Sequence, residues 1–464
     1  MIAGVGLDRG PDRGLALEPL EDRHQDAHEG AVDLGQVETH DTAELEPAAT
    51  ATDGGAGSSV TFPVGYRSFH ADPSINFELN RWLSALPENE LRAAAPRIAT
   101  LADWKTVMLE LAEDAADAAG AERDAEAAAD AADAAGVLAR TRAAAFYYRA
   151  VEFFLDAADP DKDRVYRRFV ELFDRTVRDV AHRRDRVPFD GGWLPTIVVD
   201  ARDRSRPGAP ARATILLHGG FDSLQEELFD WALFFAEGGY DVVLFEGPGQ
   251  GAALRDCGLV MEPDWERPVG AVLDHFGIER ATILGISLGG YLAPRAAAFE
   301  PRLDRVIACD ILDDFFDCFT ARAGEAMTRA LEVLLDSGAR ADTNAAIARV
   351  TSESPATAWA IRHGMHVSGS ADPYELLLWL RRMSTASFSH RVTQDVLLLA
   401  GTEDHIVPLH QLWRQARNLS NARSLTVRVF SAAEQAQNHC QVGNVGLALG
   451  FVRDWLDLQA GRHS

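Results

Sequence analysis

Lysine is almost missing from this sequence. Lys105 and Lys162 are the only two, so the 45 basic residues are nearly all arginine, set against 71 acidic ones. The formal charge of −26 would repel phosphate backbones and anionic lipid, so neither a nucleic acid nor a membrane surface is expected as a partner. Cysteine is scarce as well. Cys257, Cys309, Cys318 and Cys440 show no C-x-x-C spacing and no histidine pairing, so neither a disulfide framework nor a metal site is expected. No apolar run approaches the roughly 20 residues of a membrane span. The opening MIAGVGLDRGPDRG lacks a basic segment followed by an apolar one, so the expectation is a soluble, cytoplasmic protein.

What is present falls into three parts. Residues 1–60 are rich in Asp, Glu, Gly, Ala and Thr and poor in large apolar side chains, which predicts a disordered acidic tail. Residues 61–181 carry helical periodicity and predict a helical cap domain. Trp104, Val107, Met108 and Leu111 follow three-and-four spacing, as do Phe146, Arg149, Ala150 and Phe153. The alanine–acid run 112–135 within this part reads as a solvated helical face. From residue 182 to 464 the period changes. RVPFDGGWLPTIVVD reads as a hairpin about Gly191 and Gly192, and short apolar runs then alternate with helical segments. That alternation predicts a mostly parallel sheet flanked by helices. Between about 311 and 392 only helical segments are evident, which predicts a helical lid insertion over the ligand-binding edge of the sheet, ahead of the strand DVLLLAGTED.

Gly285-Ile286-Ser287-Leu288-Gly289 follows the strand ATILGI and opens a helix, which is the context a G-x-S-x-G nucleophile requires. A hydroxyl needs a base and the base needs an orienting acid. Asp404, at the end of a strand, and His439, after the last strand, supply them in the order Ser, Asp, His of the α/β-hydrolase fold. Asp310 and Glu403 are rival acids, and His405 and His410 rival bases. The oxyanion hole is expected from the backbone N–H of Leu288 and from Gly220 or Phe221 in the HGGF turn. The GPGQG stretch at 247–251 lacks the G-K-[ST] ending of a phosphate loop, so no nucleotide and no cofactor is expected.

HGGFDSLQEE, LFEGPGQG, GISLGGYLAPRAAA, GTEDHIVP and EQAQNHCQVGN, with FELNRWL, ADWKTVMLELA and RAAAFYYRAVEFF before them, resemble one α/β-hydrolase group over residues 65–458. That group contains the bacterial hydrolase of 2,6-dihydroxypseudooxynicotine, which cleaves a carbon–carbon bond, and fungal heptaketide hydrolases of pigment synthesis. The resemblance implies a Ser287–Asp404–His439 triad, a site organised by Glu226 or Glu227, and cleavage of a C–C bond beside a ketone in an aromatic or polyketide-type small molecule. Carboxylester, lactone or thioester hydrolysis, and acyl transfer or cyclisation, use the same machinery and stay open. A homodimer is the candidate assembly. The expected pocket lies under both helical segments; Phe77, Trp82, Phe146, Tyr147, Tyr148, Phe315, Phe316 and Trp359 are candidate lining, with helix–helix core packing the stronger reading for each, and His363 and His366 either face the substrate or are solvated.

Overall fold

The computed structural model describes residues 60–125, 131–202, 208 and 210–462. The expected tail therefore lies outside the described residues except for Val60, as do residues 126–130 of the alanine–acid run.

Eight strands form one sheet. They are β1 (Arg183–Phe189), β2 (Gly192–Val199), β3 (Thr214–His218), β4 (Asp241–Phe245), β5 (Ala281–Ile286), β6 (Leu303–Cys309), β7 (Asp395–Gly401) and β8 (Ser424–Phe430). Their order is β1-β2-β4-β3-β5-β6-β7-β8. β2 runs antiparallel to both its neighbours, and every other pairing is parallel. The β1–β2 hairpin turns at Asp190 and Gly191, with φ of 44° and 79°. Two consecutive left-handed residues give the turn whose twist matches a hairpin, and Asp-Gly is well suited to supply them.

Side chains alternate across the central strands, and each face builds its own core. Ile215, Leu217, Val242, Leu244, Leu284, Ile286, Leu397 and Leu399 belong to one cluster, which also takes in the N-terminal helices. Leu216, Val243, Phe245, Ile283, Val396 and Leu398 belong to the other, with the helices Glu266–Phe276 and Gly289–Phe299. Strands β5 and β7 are buried along their whole length, which accounts for their unbroken apolar sequences.

The N-terminal part is helical over Pro73–Arg81, Glu88–Ala94, Leu101–Ala125, Ala131–Phe154 and Lys162–Thr176. Asp72 caps the first of these by accepting from the N–H groups of Ser74 and Ile75. Trp104 is fully buried and donates to the carbonyl of Ala150, locking two helices together. The segment between β6 and β7 is also helical, from Phe315 to Arg382, with Asp314, Ser354 and Asp372 as N-caps. Its buried residues Leu331, Leu335, Ile361, Leu376 and Leu380 join the second cluster. Among the described residues no helix is long and apolar enough to cross a membrane.

The N-terminal helices are held to the sheet by buried charge. Arg149, 1% exposed, bonds Glu227 Oε1 at 2.7 Å, the Asp222 carbonyl at 2.5 Å, and Glu152. Glu152 also pairs with Lys162 at 3.0 Å and with Arg255, which lies after β4. Arg81 reaches Asp222 at 3.1 Å and Glu227 at 2.9 Å. Removing one partner from such a network strands buried charge on the others. Arg149→Met is expected to lower stability by about 3–5 kcal/mol, read by urea unfolding; a loss below about 1 kcal/mol would show that other packing holds the helices.

Candidate active site

Ser287 stands between β5 and the helix Gly289–Phe299 with φ at 61°, a left-handed conformation that a non-glycine residue adopts only when its surroundings impose it. The flanking glycines make the turn passable. A Cβ on Gly285 would come within 2.2 Å of the Gly289 carbonyl oxygen. The Ser287 N–H donates to the Cys309 carbonyl at 2.8 Å, pinning the turn to β6.

His439 lies in the loop after β8, with Nε2 2.8 Å from Ser287 Oγ. Its Nδ1 is 2.7 Å from Asp404 Oδ2 and 3.5 Å from Asp310 Oδ2. Of Asp404 and its rival Asp310, Asp404 is therefore the direct partner. Its other oxygen accepts from the N–H groups of Ile406 at 2.7 Å and Val407 at 2.9 Å. Asp310 carries the histidine loop instead, accepting from the Cys440 N–H and from Gln441 Nε2, each at 2.7 Å.

Environment drives these two carboxyls apart. Burial, then the Asp404 charge, pushes Asp310 well above the carboxylate range, so it keeps its proton. Burial also pushes Asp404 upward, but the His439 charge and the hydrogen bonds from His439, Asp310 and Val407 outweigh it and hold Asp404 at about 2. Burial pulls the His439 imidazole down, and the adjacent Asp404 carboxylate more than reverses that, raising it well above its ordinary range. The pair thus favours the imidazolium that would form as Ser287 loses its proton.

The HGGF turn after β3 abuts the serine. A Cβ on Gly220 would sit 2.5 Å from the backbone nitrogen of Leu288. The Gly220 N–H donates to Ser223 Oγ at 3.3 Å, whereas those of Phe221 and Leu288 donate no hydrogen bond among the described residues. Gln250, in the GPGQG loop, donates to the carbonyls of Gly219 at 3.0 Å and Gly220 at 2.8 Å. Sequence reading gave that glutamine no role, and only the fold brings its loop under the HGGF turn. His363 does not face the serine; it bonds the Phe221 carbonyl at 3.0 Å and stacks on Trp359.

Ser287 and His439 open on a cavity of about 140 Å³. Its lining mixes the apolar Phe77, Trp82, Phe146, Trp231, Ile286 and Ile406 with the charged Glu78, Arg81, Asp222, Glu227 and Asp230, and the Arg81 guanidinium lies over the Trp82 ring at 4.9 Å. Among the described residues none of the 311–392 insertion lines this cavity; its Phe315, Phe319 and His363 pack on Phe221 instead. His363 and His366 instead line a smaller cavity, about 30 Å³, beside Arg149 and Lys162. Tyr147, Tyr148, Phe315 and Phe316 are core residues. Glu227 lines the main cavity and anchors Arg81 and Arg149, while Glu226 lies apart from it, paired with Arg184 at 2.9 Å. The rival His410 pairs with Asp317 at 2.6 Å, and His405 packs on Phe77.

Asp310, His439 and Cys440 offer ligand atoms within 4.8 Å of one another. Both ring nitrogens of His439 already face Ser287 and Asp404, and both Asp310 oxygens accept hydrogen bonds, so this cluster is a hydrogen-bonded network.

Residues 215–436 match the family described as alpha/beta hydrolase fold. The chain carries the α/β-hydrolase fold. The solved structure of the 2,6-dihydroxy-pseudo-oxynicotine hydrolase superposes with a TM-score of 0.59 at 21% identity, over 81% of this chain and 94% of that one. Hydrolase LUC6 of a Fusarium species is 33% identical over 260 residues, 52% of this chain and 60% of the relative. The 20-hydroxy-prefusarin hydrolase of Gibberella moniliformis is 33% identical over 259 residues, again 52% and 60%. The matches span about three fifths of the length of these α/β-hydrolase relatives.

Gly285→Ala is expected to force the serine turn open, costing about 1–3 kcal/mol of stability. It should also slow phosphonylation of Ser287 by a fluorophosphonate more than about 10-fold, timed by gel fluorescence; labelling at the wild-type rate would show that the turn tolerates the methyl group.

Proposed function

We propose that this chain is a serine hydrolase that cleaves a C–C bond beside a ketone in an aromatic or polyketide-type small molecule. The observation that carries the reading is the Ser287–His439–Asp404 hydrogen-bond chain opening on a cavity lined by aromatic and charged side chains. In this reading residues 61–181 act as a cap domain on a catalytic domain of residues 182–464. His439 takes the proton of Ser287 as Oγ attacks the carbonyl, and Asp404 holds the imidazole in the tautomer that accepts at Nε2. The N–H groups of Leu288 and Phe221 receive the developing oxyanion at the start of the helix Gly289–Phe299. Collapse breaks the C–C bond, the imidazolium protonates the departing carbon, and water drawn to His439 then releases the acyl group from Ser287. The aromatic lining supplies stacking surface for a planar substrate. The resemblance to C–C hydrolases and the prefusarin hydrolase relative support a polyketide-type substrate.

Mass spectrometry should place a fluorophosphonate adduct on Ser287, absent in Ser287→Ala. That substitution should lower turnover by about 10⁶-fold, and Asp404→Asn by about 10⁴-fold through the wrong imidazole tautomer. Benzoylacetone turned over faster than p-nitrophenyl butyrate supports C–C cleavage, and the reverse order turns the assignment to an esterase. An unlabelled Ser287 would remove the serine-hydrolase reading.

A further inference from the structure

Four carboxyls line the main cavity: Glu78, Asp222, Glu227 and Asp230. Three are tied to arginine within hydrogen-bond distance, Asp222 to Arg81 at 3.1 Å, Glu227 to Arg81 at 2.9 Å and Arg149 at 2.7 Å, and Asp230 to Arg142 at 2.5 Å. Glu78 is the exception. It is 7% exposed, its Oε2 has no hydrogen-bond partner among the described residues, and the nearest cation, Arg81, stands 3.7 Å away with both amino groups already engaged. Its neighbour Phe77 on the same helix lies against the catalytic end of the cavity, with its ring centre 6.3 Å from that of His439. Glu78 is part of the cavity lining and its carboxyl makes no hydrogen bond among the described residues, so a bound ligand can supply its partner.

We propose that Glu78 is a catalytic hydrogen-bond donor to the second carbonyl oxygen of a 1,3-dicarbonyl substrate. The assignment rests on the C–C cleavage reading. When the tetrahedral intermediate collapses, the electron pair of the broken C–C bond passes to the leaving carbon and delocalises onto that second oxygen as an enolate. The Glu78 O–H stabilises the enolate without giving up its proton, and the proton that His439 took from Ser287 goes to the leaving carbon. The products are the acylated serine and a neutral ketone, so atoms and charge balance. An ester has no second oxygen to receive charge at that place, so its turnover would not draw on Glu78.

Protonation suits this role. Burial pushes Glu78 up to about 8, and the nearby Asp222 and Glu227 charges add to the effect of burial against the opposing pull of Arg81 and Arg149. Tyr66 lies close enough to feel the Glu78 charge, and His439 lines the same cavity. A carboxylic acid kept neutral by its surroundings can donate where a carboxylate cannot. As pH rises through about 8 the group ionises, the donor is lost and the enolate faces a negative charge, so diketone cleavage should fall above that pH.

The test compares wild type, Glu78→Gln and Glu78→Ala on benzoylacetone and p-nitrophenyl butyrate across pH. Glu78→Ala should lower kcat/KM for benzoylacetone about 10²-fold while ester turnover changes by less than about 3-fold. Glu78→Gln, which keeps an N–H donor, should recover most of the loss and abolish the decline above about pH 8. Equal losses on both substrates, or a wild-type pH profile in Glu78→Gln, would overturn the assignment and leave Glu78 a packing residue. If wild type cleaves benzoylacetone and both variants match it, the Glu78 role alone falls. If wild type takes the fluorophosphonate at Ser287 and cleaves the ester but not benzoylacetone, the C–C reading fails and the Glu78 role with it.

Discussion

The buried ionic network that joins the N-terminal helices to the loops after β3 and β4 is the constraint on which the site depends. Arg149 and Arg81 come from two helices, whereas Asp222 and Glu227 come from the loop that also carries the HGGF turn. Neither side would bury these groups alone, since an unpaired charge in a low dielectric costs several kcal/mol. Meeting across the joint, they make helix placement and loop geometry a single event. The Arg149 bond to the Asp222 carbonyl fixes the backbone one residue beyond Phe221, so the helices also steady the turn that abuts Ser287. The same economy isolates Glu78, because Arg81 spends its amino groups on Asp222 and Glu227.

Within the catalytic end, the division of labour between two aspartates follows from what each one accepts. Asp404 receives two backbone N–H groups and the imidazole, all of which favour its ionised form. Asp310 receives an amide N–H and a glutamine but lies beside an ionised neighbour in a buried site, so the second negative charge is refused. One acid holds the base and the other holds the loop that carries it. A sequence containing both at strand ends does not distinguish them, since the difference lies in hydrogen-bond donors from residues 406–407 and 440–441.

What could be read from the sequence shares a physical origin. The sheet was legible because β5 and β7 are buried on both faces and read as unbroken apolar runs, and Ser287, Asp404 and His439 because each sits at a strand end or in the loop after one, where local pattern is strong. Gln250 and Glu78 were not legible. Gln250 matters only because β4 lies next to β3 and brings its loop under the Gly219–Gly220 carbonyls. Glu78 matters only because the helix Pro73–Arg81 is laid over His439. The 311–392 insertion was recognised as helical, but its place as a roof came from chain order, whereas its position is set by where its apolar stripe finds a partner. Leu376 and Leu380 find it in the second cluster, where Phe315 also packs on Phe221.

The apolar and charged side chains lining the cavity together set what kind of molecule can be held there. The aromatic lining rewards a planar, apolar body, but offers little that distinguishes one ring from another. The charged lining is nearly self-sufficient, with Arg81 and three of the acids paired within it or with Arg149 and Arg142 behind it, so an ionic substrate group would have to break a buried pair to be received. A neutral oxygen that becomes negative during the reaction asks for less: it needs only a donor that is already present and uncharged. Under the proposed C–C cleavage, such a lining would bind the ground state weakly and the enolate-bearing state more strongly, which is the differential binding that accelerates a chemical step. The −26 charge of the chain points the same way, since a neutral substrate approaches it without the repulsion that an anion would meet.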